Sequence, residues 1–230
     1  MEIINLDVLS TKREKKKVNE LAPDQPFRML MIGSSGSGKT NVLIDMILRY
    51  LVFDKLYVYT KHMHQGKYQL LQKIIKSIEE SEEFKEVGDF PIAYFAEDVK
   101  NVVPLEKMDE TKDNIIIFDD FITSKNQIPM IDMFIRGRHK NASVIYLTQS
   151  YWSTPRDIRI NCTHYMLFGS PNNRDLNLIL GDHCRDMCKE EFKEIFNEAT
   201  REPYSFFYID KDNKHKALRY RKNFDGLLVK

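Results

Sequence analysis

Eight consecutive residues have the types and spacing of a phosphate-binding loop. Residues 33–40 read Gly-Ser-Ser-Gly-Ser-Gly-Lys-Thr and match the pattern G-x-x-x-x-G-K-[ST] in full. Glycine lets the backbone wrap closely around a phosphate, and N–H groups at the start of a helix attract the anion. The predicted nucleotide-binding residues are Gly33, Ser34, Ser35, Gly36, Ser37, Gly38, Lys39 and Thr40.

Two of these residues have a further predicted role in phosphoryl chemistry. In such loops the lysine, here Lys39, reaches the β- and γ-phosphates, and the hydroxyl of Thr40 is expected to hold Mg²⁺. The sequence contains no N-K-x-D tetrad of the kind that recognises guanine. The pattern therefore favours ATP over GTP and predicts ATP and Mg²⁺ as the bound cofactors.

Acidic residues follow a second apolar run. Residues 115–118 are Ile-Ile-Ile-Phe and lead directly into Asp119 and Asp120. A buried strand of this kind delivers a carboxylate to the edge of its sheet, where Asp119 is predicted to bind Mg²⁺. Asp120 is predicted to activate the attacking water as a general base. Glu97, which follows an earlier apolar run, is the alternative base.

A glutamine and several arginines complete the candidate catalytic set. Gln149 follows the apolar run 144–147 with one residue, Thr148, between them, and it is expected to contact the γ-phosphate or to orient water. Arg138 follows a predicted helix end at Gly137 and should be exposed, so it could neutralise transition-state charge at a neighbouring subunit. An ordinary surface role or a contact with a DNA phosphate stays open for it. The alternative arginines for this role are Arg136, Arg156 and Arg159.

These residues need a scaffold, and the hydrophobic pattern predicts one. Short apolar runs typical of buried strands lie at residues 27–32, 56–59, 92–95, 115–118, 144–147 and 165–168. Helical spacing between them predicts an α/β fold of the P-loop NTPase type, with a mostly parallel central sheet and helices on both faces. Residues 204–209 and 215–220 predict a C-terminal β-hairpin around the turn residues 211–213.

The predicted sheet brings the candidate residues together. Ligands of doubly wound sheets bind at the carboxyl ends of the strands. The phosphate loop, the pair Asp119 and Asp120, and Gln149 all follow apolar runs at that end. We therefore predict a single site at one edge of the sheet.

The composition of the 230 residues limits the class of protein. Lysine and arginine number 35 against 34 acidic residues, a net charge of +1 that excludes a histone-like or polybasic coat protein. The hydrophobic fraction of 42% argues against disorder. We expect one ATPase domain at residues 26–230, with C-terminal helices and the hairpin from about residue 170, behind a basic arm at residues 1–25.

No targeting or membrane segment is expected from the sequence. The first ten residues lack a basic region followed by an apolar run. The most apolar helix candidate, residues 42–53, contains Asp45 and Arg49 and is too short to span a bilayer. The three cysteines favour a reducing compartment.

Three stretches resemble a known family. They are residues 26–40 (PFRMLMIGSSGSGKT), 115–121 (IIIFDDF) and 137–168 (GRHKNASVIYLTQSYWSTPRDIRINCTHYMLF). Together they resemble the poxvirus-type DNA-packaging ATPases of the FtsK–HerA superfamily, which occur in large DNA viruses and virophages. The Gly-Arg-His step followed by a strand that ends in Thr-Gln-Ser-Tyr is more specific than the phosphate loop.

The resemblance implies a function and an assembly. It implies a motor that hydrolyses ATP to drive double-stranded DNA into a preformed capsid, as a homo-oligomeric ring of five or six subunits around the DNA. Capsid-vertex or inner-membrane proteins are further implied partners. The implied location is viral: the virus factory in the host cytoplasm, and the virion. For the fold, it implies an ASCE-type sheet in which another strand separates the phosphate-loop strand from the Asp119 strand.

The family pattern also assigns roles to single residues. Lys39 and Thr40 match the phosphate loop, Asp119 and Asp120 the acidic pair, and Gln149 the sensor. The arginine of the Gly-Arg-His step corresponds to Arg138. The wider superfamily often has Glu at the second acidic position, so Asp120, which is shorter by one methylene, departs from the pattern.

The sequence is also compatible with two other functions. The first is a small P-loop kinase in which Arg136, Arg138 and Lys140 form a lid over the phosphates. The second is a non-catalytic nucleotide-binding scaffold for capsid assembly. A kinase has no need of a sensor such as Gln149, and the intact set of Lys39, Thr40 and Asp119 argues against the scaffold.

Overall fold

A nine-stranded sheet forms the centre of the computed structural model, which describes residues 21–85, 91–169 and 171–228. In chain order the strands are β1 (Arg28–Ile32), β2 (Lys55–Thr60), β3 (Ala93–Ala96), β4 (Asn114–Asp119), β5 (Ala142–Thr148), β6 (His164–Phe168), β7 (Phe206–Asp210), β8 (Tyr220–Lys222) and β9 (Gly226–Leu227). Across the sheet the order is β3-β2-β4-β5-β1-β6-β7-β8-β9.

The strand directions divide the sheet into two parts. The first six strands in the spatial order are parallel, so their carboxyl ends lie at one edge. The last three each pair antiparallel with the preceding strand. β5 lies between β1 and β4, which is the inserted strand of the ASCE arrangement.

Helices cover both faces of the sheet. Their bounds are α1 (Lys39–Arg49), α2 (Gly66–Glu80), α3 (Glu82–Lys85), α4 (Ile128–Arg136), α5 (Arg156–Asn161), α6 (Asn173–His183), α7 (Lys189–Ala199) and α8 (Lys216–Arg219). Most of the buried residues of α1 and α2 belong to one hydrophobic cluster, whereas most of those of α4, α5, α6 and α7 belong to another. None of the helices in the described part of the chain has the length and apolar character needed to span a bilayer.

β1 shows how one strand serves both clusters. Successive side chains of a strand point to opposite faces. Met29 and Met31 belong to the cluster with α1, whereas Leu30 and Ile32 belong to the cluster on the other face. All four are fully buried, and this two-sided burial is why the run is continuously apolar rather than alternating.

The predicted α/β fold is confirmed. Each of the six apolar runs forms a strand of the parallel part, and helices are present between the runs, including one that runs up to Gly137. The first 20 residues of the predicted basic arm lie outside the described residues.

The predicted C-terminal hairpin is correct in its pairing but not in its second strand. β7 pairs antiparallel with β8, yet β8 begins at Tyr220 instead of residue 215. Asp210 Oδ1 accepts hydrogen bonds from the N–H groups of Asp212 and Asn213, and Asn213 Oδ1 accepts one from His215. These side-chain turns lead the chain into the short helix α8, so a long connection joins β7 to β8.

The helix before β5 also ends differently from the prediction. Gly137 keeps a right-handed helical conformation and continues into a 3₁₀ turn, Gly137–Lys140. The left-handed residue that ends the turn is Asn141, with φ of 47°. A Cβ on Gly137 would lie 3.3 Å from Cγ2 of Val144, so the glycine allows close packing on β5.

Candidate active site

The phosphate loop joins β1 to α1 through three glycines where a side chain has no room or no favourable conformation. Gly36 and Gly38 have φ of 78° and 102°, values that glycine adopts at little cost. A Cβ on Gly33 would lie 2.7 Å from the Cβ of Phe168 and 2.7 Å from Oγ of Ser37. The loop backbone can therefore approach an anion closely.

Lys39 lies against its own loop. Its Nζ donates to the carbonyl oxygens of Gly33, at 2.6 Å, and Ser34, at 2.9 Å. Burial lowers the pKa of the ammonium group, and the charges of Asp119 and Asp120 oppose that shift. The lysine is thus near both the loop and the acidic residues at the end of β4.

Asp119 is a buried carboxylate with a fully buried partner. The hydroxyl of Tyr68 donates to its Oδ2 at 2.6 Å. Burial raises the pKa of Asp119, while the bond from Tyr68 and the charge of Lys39 lower it. Burial also holds the pKa of Tyr68 well above its ordinary value, and the hydroxyls of Thr60 and Thr40 oppose that shift. Thr40 and Asp119 therefore both lie close to the hydroxyl group of Tyr68.

Asp120 has a strained backbone and a specific partner. Its φ of 62° lies in the left-handed region, which few residues other than glycine adopt. Nε2 of His62 donates to its Oδ2 at 2.8 Å. The side chain of Asp120 is 32% exposed and that of His62 is 38% exposed, so both remain accessible from the cleft.

A cleft of about 150 Å³ collects these side chains at the carboxyl edge of the sheet. Gln149, exposed directly after β5, lines the same cleft. The lining residues are Ser35, Gly36, Lys39, Thr40, His62, Gln65, Lys67, Asp119, Asp120, Leu147, Thr148 and Gln149. The structure thus brings the phosphate loop, the acidic pair and Gln149 into one site.

The sequence analysis missed the contribution of β2 to this site. His62, Gln65 and Lys67 line the cleft, and Tyr68 bonds Asp119 from the first turn of α2. All of them follow the carboxyl end of β2, which pairs with β4. The rule that ligands bind where parallel strands end applies to β2 as it does to β4 and would have identified this segment.

Two predicted residues lie away from the cleft. Arg138 is exposed before the start of β5, and β5 has seven residues, so at about 3.3 Å per residue it stands roughly 20 Å from Gln149. Glu97 is exposed after β3, which is separated from β4 by β2. Neither residue is among those that line the cleft.

The alternative arginines differ in their contacts. Arg136 pairs with Asp132 and with Glu106. Arg159 donates to a backbone carbonyl and lies 3.9 Å from a carboxylate oxygen of Asp182. Arg156 is exposed at the start of α5. Arg138 and Arg156 are therefore the more available of the four.

The donor set suits a magnesium nucleotide. The Thr40 hydroxyl and the Asp119 carboxylate are hard oxygen donors of the type that Mg²⁺ prefers. Oγ of Ser37 is buried without a hydrogen-bond partner among the described residues, as expected of a group that meets an acceptor only when a ligand binds. The glycine cradle, the lysine and these oxygens fit a phosphate chain with its cation.

Comparison with known proteins places this site in a family context. The model of the family described as "Poxvirus A32 protein" matches residues 14–201. The DNA packaging protein OPG160 of Variola virus is 26% identical over 158 residues, covering 68% of this chain and 58% of that protein. The Monkeypox virus protein of the same name is 25% identical over 163 residues, covering 70% and 54%. The chain thus spans just over half the length of these curated relatives.

Solved structures share the fold. The genome packaging NTPase B204 of Sulfolobus turreted icosahedral virus 2, in complex with AMP, aligns with a TM-score of 0.54 at 13% identity, over 82% of this chain and 94% of that chain. Its complex with sulfate aligns with a TM-score of 0.55 at 12% identity, over 83% and 94%. At these identities the likeness is one of architecture.

Proposed function

The chain belongs to the poxvirus A32 protein family, and from that premise we propose that it is an ATP-hydrolysing motor that translocates double-stranded DNA into a viral capsid. The curated relatives are named DNA packaging proteins, and the architecture is that of a genome packaging NTPase. The observation that carries the proposal is the meeting of the phosphate loop, Asp119 and Gln149 in one cleft.

The phosphate loop is proposed to bind the triphosphate of ATP. Its backbone N–H groups at the start of α1 offer a positive dipole end to the phosphates. Lys39 exchanges its contacts with Gly33 and Ser34 for the β- and γ-phosphates. Bound Mg²⁺ supplies charge neutralisation on the phosphate oxygens, and Thr40 and Asp119 are the residues that would hold it.

Asp120 is the proposed base for the attacking water. Its carboxylate lies in the cleft beside Asp119, and the bond from His62 fixes the orientation of the side chain. Gln149, at the end of the neighbouring strand, is proposed to contact the γ-phosphate or to orient the water. Glu97 is the less favourable base because β2 separates its strand from β4.

The arginine that completes the site is proposed to come from a neighbouring subunit. Arg138 stands at the opposite edge of the sheet from its own cleft, so any contribution to hydrolysis requires a second copy of the chain. Lys140 in the same turn pairs with Glu110, whereas Arg138 is exposed. The proposed assembly is the ring of five or six subunits that the family resemblance implies, and Arg156 is the alternative finger.

The proposed assembly also has partners and a location. Double-stranded DNA passes through the ring, and capsid-vertex or inner-membrane proteins anchor it. The protein is viral in this proposal and acts in the cytoplasmic virus factory and in the virion. Residues 26–230 are proposed to form one ATPase domain behind the basic arm at residues 1–25.

A DNA-dependent ATPase assay tests the proposal. ATP turnover should rise when double-stranded DNA is added, and Lys39→Ala should abolish it, with phosphate release measured beside the oligomeric mass in the presence and absence of nucleotide. An ATPase rate that is the same with and without DNA in every oligomeric state would contradict translocation. A phosphorylated small-molecule product would indicate a kinase, and tight ATP binding without turnover would indicate a scaffold.

A mixing experiment tests the arginine. Arg138→Ala and Lys39→Ala proteins should each be inactive but should regain part of the activity when combined. An Arg138→Ala subunit keeps an intact phosphate loop and can receive Arg138 from a Lys39→Ala neighbour. Arg156→Ala, mixed in the same way, is the matched comparison. If the mixture with Arg138→Ala stays inactive, that residue is not the finger.

A further inference from the structure

The phosphate cleft is too small for a whole nucleotide. Its volume of about 150 Å³ is below the roughly 300 Å³ at which ordinary ligand pockets begin. The space accommodates phosphates and a cation, so the nucleoside must extend beyond it. Two larger clefts lie on the far side of the phosphate loop, away from Asp119.

The two larger clefts share one aromatic side chain. The first, of about 470 Å³, is lined by residues 34–37, Gly169 and residues 200–205, and it shares Ser35 and Gly36 with the phosphate cleft. The second, of about 390 Å³, runs along α1 past Val42. Tyr204 lines both clefts.

Tyr204 stands directly beside the loop. A Cβ on Gly38 would lie 2.7 Å from Cδ1 of the Tyr204 ring, so the ring packs on the glycine that directly precedes α1. The Tyr204 side chain is nevertheless 60% exposed. An aromatic ring that touches the phosphate loop on one side and is open on the other is a platform for a flat ligand.

The backbone holds Tyr204 in this position at a conformational cost. Its φ of 66° lies in the left-handed region, which is unusual for a bulky residue. The N–H and Oγ of Ser205 both donate to the carbonyl oxygen of Glu202, and the carboxylate of Glu202 pairs with Lys222 of β8 at 2.9 Å. Strain retained at one residue of an anchored turn is typical of ligand contacts.

We propose that Tyr204 is the stacking platform for the nucleobase, and that the space around it takes the nucleoside of a bound nucleoside triphosphate. The proposal rests on the proposed ATPase function and adds the residue that recognises the base. Nucleobases stack on aromatic side chains largely irrespective of base identity, so the platform contributes affinity rather than selection among bases.

The experiment compares two ligands that share the phosphate chain. Calorimetric titration with a non-hydrolysable ATP analogue and with inorganic tripolyphosphate, both with Mg²⁺, measures the contribution of the nucleoside. The wild-type chain should bind the analogue on the order of 10-fold more tightly. Tyr204→Phe should keep that ratio, and Tyr204→Ala should bring it close to one while tripolyphosphate affinity stays unchanged.

Controls separate the two proposals. Tyr94→Ala removes a partly exposed tyrosine from the edge strand β3 and should behave as wild type. The stacking role is overturned if Tyr204→Ala keeps the wild-type ratio of affinities for the ATP analogue and tripolyphosphate, or if its affinities for both ligands fall by the same factor. Either result leaves the ATPase proposal standing. A wild-type chain that binds neither ligand overturns the ATPase proposal itself.

Discussion

The contact between His62 and Asp120 makes a quantitative prediction about turnover. If Asp120 is the general base, His62 acts by holding its carboxylate, and His62→Ala should lower kcat while leaving KM for ATP nearly unchanged. The bond is 2.8 Å long, but both side chains are about one third exposed. We therefore take a net contribution of about 1 kcal/mol, below the usual range for hydrogen bonds to charged groups because solvent screens this partly exposed pair.

That free energy corresponds to a loss of about fivefold in kcat. Loss of the base itself, by Asp120→Asn, should cost roughly 100-fold or more. His62→Gln keeps a donor that can reach the carboxylate and should remain within about threefold of wild type. The graded order of the three variants is the signature of a positioning residue.

Steady-state ATPase kinetics with and without DNA provide the measurement. The matched control is His64→Ala, because His64 is an exposed imidazole whose ring centroid lies 6.3 Å from that of His62. Its kinetics should equal those of wild type. If His62→Ala were as inactive as Asp120→Asn, or raised only KM, the positioning argument would be refuted.

Three further perturbations test the structure around the site. Tyr68→Phe removes the buried donor to Asp119 and should lower the free energy of unfolding by about 1 to 2 kcal/mol in a denaturant titration. Gly38→Ala places a Cβ at φ of 102° and 2.7 Å from Tyr204, so calorimetry should show nucleotide affinity at least about 10-fold weaker with the circular dichroism spectrum unchanged. Burial lowers the pKa of His183 from 6.5 to about 4. Between these two pH values the unfolded chain binds a proton that the folded chain does not, so the free energy of unfolding should fall by up to about 3 kcal/mol as the pH drops from about 6.5 to 4. Thermal melts across this pH range should show a weaker pH dependence for His183→Gln.

Local signals explain why the fold and the phosphate loop could be predicted from the sequence. A strand buried on both faces must be continuously apolar, so β1, β4 and β5 are visible as short runs. The loop needs glycine where φ is positive or where a Cβ would clash, and Gly36 and Gly33 satisfy one condition each. Each of these constraints acts within a few residues of chain.

The rest of the site depends on strand order, which is a long-range property. His62 and Tyr68 act on Asp120 and Asp119 only because β2 pairs with β4, and no local pattern specifies that pairing. The C-terminal hairpin was misjudged for the opposite reason. Residues 215–220 suit a strand, but Asp210 and Asn213 form side-chain turns that divert the chain into α8.

The sheet geometry ties hydrolysis to assembly. All the residues that line the phosphate cleft lie at or after the carboxyl ends of parallel strands, whereas Arg138 precedes β5 at the amino end. A rigid strand of seven residues separates the two ends, at about 20 Å, and no side-chain rotation closes that distance. If Arg138 neutralises transition-state charge, an isolated subunit must therefore hydrolyse ATP slowly, and turnover must rise with protein concentration until the subunits associate. A specific activity that stays constant across the dissociation range would place the full catalytic set within one chain and exclude Arg138 from it.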